Sequence, residues 1–318
     1  MNKSSSILSR HDQLVTMSFL KYKLGYTHAK IAELFNVSVM TVSRMLKTAI
    51  DEGIVTISVK IAIDVDEELS QQLKQKYALR DVLIVKNNQY EDAITTVSKA
   101  AASYLDMVIL PRDVMGLAAG RVLSHVLPLM NLPSIDRNSD QFEVVQVQGG
   151  YPNLEVQNPT TTIVNFVNRF GIPGHLVLYP MYASSEDSAQ MLYQQNKEDF
   201  ENRWKKCTIL LTGVGVFGQD NFQREESLLS NEDIKELETK GVMGVIFGRW
   251  FNSDGQYLDC SSNRKVMSIT PNIQKKIPKR ILVAFGDEKL TVINVLLKTQ
   301  ISNIFISDEK TAKGLLHM

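Results

Sequence analysis

The chain has 318 residues, 44% hydrophobic and 22% charged, which excludes an intrinsically disordered chain. Thirty-five basic side chains balance thirty-five acidic ones, so a polyelectrolyte tail or a uniformly basic surface is excluded as well. The balance is uneven, however: residues 1–60 carry eight Lys/Arg against four Asp/Glu, a surplus of four, and the remainder lies four below neutrality. A small basic N-terminal part joined to a larger, mildly acidic one suits a chain that meets nucleic acid with one portion.

Cys207 and Cys260 make neither a disulfide framework nor a paired metal-ligand spacing, which points to a reducing compartment. The opening residues, MNKSSSILSRHDQ, hold no apolar core of signal-peptide length, and no run approaches the roughly 20 apolar residues that cross a bilayer. A cytoplasmic protein with no membrane partner is expected. The five histidines include no i, i+4 pair, so no metal site and no cofactor is expected.

In chain order, Leu14 to Leu20 form an apolar-rich helical stretch that stops near Gly25. Thr27 offers an N-cap oxygen to a second helix with Ala29, Ile31, Ala32, Leu34 and Phe35 at helical spacing. After a turn at Asn36-Val37-Ser38, Ser38 caps a third helix in which Val42, Met45, Leu46 and Ile50 face inward. Val39, Met40, Thr41, Ser43, Arg44 and Lys47 are left outside or at the margins. The β-branched run Ile54, Ile57, Val59 and Ile61 suits a wing strand. Two helices joined by a tight turn, the second exposing short donors and cations, describe a helix-turn-helix that fits the major groove of double-stranded DNA. A three-helix packing module with a solvated polar face is the bland alternative.

A helix over Asp66 to Tyr77, with Leu69, Leu73 and Tyr77 at spacings of four, reads as a link that pairs with its copy in a dimer. Strands and helices then alternate: strands over 82–85, 113–117, 143–147, 175–179, 208–211, 281–285 and 303–306, and helices over 91–105, 120–130, 160–170, 231–238, 288–297 and 308–316. Such alternation specifies a mostly parallel sheet covered on both faces, with ligands beyond the carboxyl ends of its strands.

Gly116-Leu117-Ala118-Ala119-Gly120-Arg121 and Gln148-Gly149-Gly150-Tyr151 both lie at strand ends, where glycine lets the backbone approach an anion and a helix start offers free N–H groups. Tight turns and capping by Thr160 account for the same residues equally well. Gly213-Val214-Gly215-Val216-Phe217-Gly218 matches a dinucleotide fingerprint, but no amphipathic helix follows it, so it is set aside. Lys289, in Gly286-Asp287-Glu288-Lys289 after a strand, is placed to pair with a phosphate or to stand solvated in a first helical turn.

Taken together, IAELFNVSVMTVSRMLKTAIDEGIVTISV, DVMGLAAGRVL, FEVVQVQGG, ILLTGVGVFG, GVMGVIFGRWFNSDG, the GDEK segment and ISNIFISDEKTAKGLL resemble the sorbitol-operon (SorC) family of bacterial transcription regulators over nearly the whole chain. The resemblance implies an α+β multidomain protein. It would comprise a winged helix-turn-helix over 1–62, a linker helix over 63–80, and over 81–318 an α/β, Rossmann-like effector and oligomerisation domain related to sugar-phosphate isomerases. It further implies a homo-oligomer, dimer or tetramer, that binds a phosphorylated sugar. The effector residues would be Gly116, Gly120, Arg121, Gln148, Gly149, Gly150, Tyr151, Thr160, Phe247, Arg249 and Lys289. Three departures stand out: Leu117, Ala118, Ala119 and Val122 where hydroxyls are frequent, Gln148 where an imine-forming lysine occurs, and Val245 where an acid is common. In the DNA-reading helix, Val39 replaces a frequent arginine.

On the DNA side, Met40, Thr41 and Ser43 are expected near base edges and Lys30, Arg44 and Lys47 on bases or phosphates, with Thr27 and Ser38 completing the set. The rival class is a sugar-phosphate isomerase or aldolase with an appended assembly module. It would need a base or nucleophile in the pocket, and Gln148 and Val245 are poor ones. No catalytic residue is therefore expected.

Overall fold

The computed structural model describes residues 9–55, 63–87, 91–118, 120–132, 135, 142–151, 158–218 and 228–318. The chain divides into two compact units, Met1–Ala62 and Ile63–Met318.

In the first unit, α1 (Arg10–Ser18) opens on a reciprocal cap, in which Ser9 Oγ accepts the Asp12 N–H and the Asp12 carboxylate accepts the Ser9 N–H. The helix runs into a π turn over Phe19–Lys23. Next, α2 (His28–Phe35) is capped by Thr27 and ends at Asn36, whose φ of 52° is a left-handed conformation that asparagine tolerates. Ser38 Oγ accepts the Thr41 N–H at 3.1 Å and so starts α3 (Val39–Asp51). Met17, Ile31, Ala32, Val42 and Leu46 form the shared core.

One expected inward position is corrected. Ile50 is 38% exposed and Ala49 is buried instead. Seven residues past Val42 returns to within about 20° of it around the helix, whereas eight residues lands about 80° away. Phe19 opens the π turn and is 55% exposed. Ile54, the first residue of the expected wing strand, stands in a bend, and the rest of that expectation, Ile57 to Ile61, lies outside the described residues.

The second unit is a layered α/β structure. Seven strands, β1 (Asp81–Val85), β2 (Val114–Leu117), β3 (Glu143–Gln146), β4 (Gly174–His175), β5 (Ile209–Thr212), β9 (Lys279–Val283) and β10 (Ile304–Asp308), form one parallel sheet in the order β1-β10-β9-β5-β2-β3-β4. Burial on both faces explains the continuous apolar runs: every residue of β5 and of β10 is buried. The helices are α4 (Glu67–Lys76), α5 (Ala93–Val108), α6 (Arg121–Val126), α7 (Pro159–Phe170), α8 (Glu186–Lys206), α9 (Asn231–Thr239), α10 (Ser261–Lys265), α11 (Pro271–Gln274), α12 (Leu290–Lys298) and α13 (Glu309–Leu316). A small antiparallel sheet of β6 (Gly215–Val216), β7 (Gly244–Ile246) and β8 (Arg249–Phe251) was not foreseen. It absorbs the glycine run that mimicked a dinucleotide fingerprint. Cys207 and Cys260 are buried free thiols, and burial pushes the Cys207 thiol up to about 12.

Two further expectations change. The strand placed over His175–Tyr179 is only Gly174–His175. The helix read as a link that meets a second copy instead belongs to the large unit. Leu69, Leu73 and Tyr77 join its core, Ser70 Oγ accepts the Ile84 N–H of β1 at 3.0 Å, and Tyr77 OH donates to Asn294 Oδ1 at 2.8 Å. The apolar seam is consumed inside the chain, so no partner is needed to cover it. Leu73→Ala is therefore expected to destabilise the large unit by about 2–5 kcal/mol in chemical denaturation; an unchanged midpoint would contradict this placement.

Candidate functional site

Two surfaces carry the expected functional residues, and each is built within one unit. In the N-terminal unit, Lys30, Met40, Ser43, Arg44 and Lys47 are all exposed. Lys30 Nζ sits 4.3 Å from the Tyr26 ring centroid, and Arg44 Nη2 lies 3.8 Å from Met40 Sδ, one helical turn away. Among the described residues no carboxylate forms an ion pair with Lys30, Arg44 or Lys47. Thr27 and Ser38 have a different duty. Their hydroxyls accept the Lys30 and Thr41 N–H groups, which fixes where α2 and α3 begin. Thr41 is half-buried, with its hydroxyl 2.8 Å from Ser38 Oγ.

In the large unit the chain moves outward from β2 through β3 to β4, then returns to β5 on the other side of β2 and continues to β9 and β10. The order therefore reverses between β2 and β5, and the crevice beyond their carboxyl ends is where such a sheet receives ligands. The expected effector residues surround this end, in three groups.

The first group flanks the crevice. Gly120, with φ 147° and open space where a Cβ would stand, leads into α6, whose first residue is the exposed Arg121. Lys289 ends a single 3-10 turn over Asp287–Lys289, half-buried, with Nζ 5.7 Å from the Phe285 ring centroid. Burial lowers the Lys289 pKa, Glu288 opposes that shift, and the nearby Arg121 cation adds to it. The acid adjacent in sequence to Glu288, Asp287, is held 2.5 Å from Lys310. Gly116, by contrast, faces the core: a Cβ there would stand 2.8 Å from Val147 Cγ1 and 3.0 Å from Leu210 Cδ1. Its small size serves packing rather than ligand approach. Ala119 lies outside the described residues.

The second group follows β3. The amides of Gly149 and Gly150 are not bare, as the glycine pattern had suggested. Gly149 N donates to Met267 O at 2.7 Å and Gly150 N to Tyr179 O at 2.9 Å. A Cβ on Gly149 would come 2.4 Å from Pro180 O, so glycine is required by the close approach of two backbones. Gln148 is buried and bridges Ser268, while its carbonyl accepts from Gln146 Nε2 at 2.7 Å. Half-buried Tyr151 accepts at its carbonyl from Asn158 Nδ2 at 2.9 Å. Asn158, not Thr160, caps α7, and the Thr160 hydroxyl lies 3.3 Å from Gln146 Nε2.

The third group is the hairpin of the small sheet. Phe247 and Gly248 form its two-residue turn, both at positive φ (53° and 73°), and Phe247 is buried. Half-buried Arg249 donates to the carbonyls of Ile269 and Ser268, both at 3.2 Å, and of Asn263 at 3.4 Å; burial lowers its pKa. Its role is to clamp the 263–269 segment. That segment also receives Gly149 and faces Gln148, so it links the second group to the third.

Sequence reasoning missed Gln146, which is fully buried and organises the second group. Its Nε2 meets Gln148 O and Thr160, and its Oε1 accepts the Val177 N–H at 3.2 Å. The signal was present as a glutamine following the apolar pair Val144-Val145 in the strand, since a buried amide must find partners. The arrangement offers two cations, Arg121 and Lys289, at an open helix start beside a rigid polar wall, which is the electrostatics of an anion site. Among the described residues no cluster of His, Cys, Asp or Glu is able to hold a metal ion, and no helix is long and apolar enough to cross a membrane.

Comparison with known proteins matches this layout. Residues 63–317 fit the Sugar-bind family model, described as "Putative sugar-binding domain". The sorbitol operon regulator of Klebsiella pneumoniae is 24% identical over 307 residues, spanning 95% of this chain and 97% of that protein. The deoxyribonucleoside regulator of Bacillus subtilis (strain 168) is 26% identical over 307 residues, spanning 94% and 95%. The crystal structure of the full-length regulator SorC from Klebsiella pneumoniae shares the fold, with a TM-score of 0.70 at 24% identity, covering 95% of this chain and 98% of that one. With the family model spanning nearly all of the large unit and the SorC-type motifs distributed along the whole sequence, the chain belongs to the Sugar-bind family of SorC-type regulators.

Proposed function

We propose that the chain is a transcription regulator that binds double-stranded operator DNA through its N-terminal unit and a phosphorylated sugar through its large unit. The observation that carries this reading is the pairing, in one chain, of a helix-turn-helix with an unpaired cationic face and a domain of the sugar-binding family. The relatives named above are a sorbitol operon regulator and a deoxyribonucleoside regulator, which favours a carbohydrate-utilisation operon here. The chain acts as a regulator in the cytoplasm, not as an enzyme, and works as a homo-oligomer, dimer or tetramer, because helix-turn-helix proteins commonly read two half-sites at once.

In this mechanism α3 enters the major groove, with Lys30, Arg44 and Lys47 on phosphates or bases. The effector's phosphate sits between Lys289 and Arg121 at the start of α6, where among the described residues neither cation forms an ion pair, and its sugar lies against the Gln148–Tyr151 wall and the Phe247–Arg249 hairpin. The effector switches DNA binding only by favouring one quaternary arrangement, and moving the population from 1:99 to 99:1 takes about 5.5 kcal/mol of differential affinity.

Two measurements test these assignments. Arg44→Ala is expected to lower the salt slope of operator binding by about one unit if Arg44 holds a phosphate, or to weaken binding by about 1–3 kcal/mol with relaxed specificity if it holds a base. Unchanged affinity and slope would remove Arg44 from the interface. Titration calorimetry with a panel of sugar phosphates and the parent sugars is expected to find one phosphorylated ligand, bound about 1.5–3 kcal/mol less tightly by Lys289→Ala, the range for a hydrogen bond to a charged group. Equal binding by the variant would move the phosphate elsewhere.

A further inference from the structure

The outward face of α3 contains two residues that polar recognition does not explain. Val39 and Met40 take the first two helical positions and are 50% and 65% exposed. They contribute nothing to the core, which is filled from the other side by Val42, Leu46 and Ala49. Their polar neighbours at this end of the helix are occupied: Ser38 Oγ holds the Thr41 N–H, and the two hydroxyls lie 2.8 Å apart. The groups left free to meet a partner at the start of α3 are therefore apolar.

The charge around them identifies that partner. Exposed Arg44 lies against Met40 and exposed Lys47 follows seven residues after Met40 on the same helix, and among the described residues neither they nor Lys30 has an acidic partner. Such a surface fits a polyanion rather than an apolar protein face. The N-terminal residues of a recognition helix are those that reach base edges, and the major groove presents one apolar group, the C5-methyl of thymine. Met40 and Arg44 lie one turn apart on the same side of the helix, with Arg44 Nη2 3.8 Å from Met40 Sδ. Four residues rise about 6 Å, close to two base-pair steps at about 3.4 Å each.

Building on the regulator reading above, we propose that Met40, flanked by Val39, reads thymine methyl groups in each operator half-site, and that Arg44 reads a guanine about two base steps further along. Specificity at the start of the helix is thus set by shape and methyl contact, and one turn later by bidentate hydrogen bonding.

The test uses the full-length protein and a duplex selected by it from a random-sequence library. Each thymine is replaced in turn by deoxyuridine, which deletes only the C5-methyl, and affinity is measured by fluorescence anisotropy at fixed salt. One or two positions per half-site are expected to lose affinity by about fourfold, the transfer value of a single methyl group. That loss should vanish in Met40→Ala or, at the neighbouring step, in Val39→Ala. Both side chains are exposed, so both variants should melt like the parent. Equal binding of every deoxyuridine duplex, or a penalty that persists undiminished in both variants, overturns the proposal. Failure to select any duplex overturns the regulator reading and this inference with it.

Discussion

Burying a parallel sheet on both faces leaves the ends of its strands as the places where sheets of this kind receive ligands. The seven-stranded sheet is sealed by side chains such as Ile84, Met115, Val144, Leu211, Leu282 and Phe305, all fully buried. Gln146, polar and fully buried in its middle, is satisfied in place. At the carboxyl rim the reversal of strand order between β2 and β5 opens the crevice flanked by Gly120, Arg121 and Lys289. At the opposite rim, Asp113 ties Thr208, Lys279 and the Leu110 amide together, so that end is closed by its own charges.

Ion pairs and carbonyl contacts mark the cations that hold the fold together. In the large unit Lys265 sits against both oxygens of buried Asp233, Lys279 against Asp113, and Arg280 donates to the carbonyls of Lys275, Ile277, Gln300 and Ile301. Each finishes the end of a helix or strand. Lys289 differs in being half-buried beside another cation, an arrangement that opposes its own charge and that an incoming anion relieves. The same contrast holds in the small unit, where Thr27 and Ser38 spend their hydroxyls on helix starts while the cations of α2 and α3 stay open.

How much of this was legible in the sequence depended on how strongly each segment's burial marked its residues. The continuous apolar runs of β5 and β10 and the alternation of strands with helices announced the sheet, and the caps Thr27 and Ser38 announced the helix-turn-helix. The 21-residue α8 escaped notice because only Ala189, Phe200 and Trp204 of it are buried, which leaves no regular apolar period to read. The seam of α4 was visible, but its partner was not: spacing shows that Leu69, Leu73 and Tyr77 must be covered, never by what. The glycine loops failed for a related reason. Glycine signals close approach, and at Gly116 and Gly149 the approaching group is the protein itself. Arg249 was placed in the site, yet its three carbonyl acceptors come from a segment 14 to 20 residues downstream whose proximity only folding creates.

The burial of both sulfhydryls has a practical consequence for watching this molecule at work. With Cys207 and Cys260 enclosed and their ionisation suppressed, thiol-directed dyes and spin labels find little thiolate on the folded native chain. A single cysteine introduced on the solvent side of α1 or α8 would then be the preferred attachment point, so site-specific labelling becomes feasible without first stripping the natural cysteines from the background.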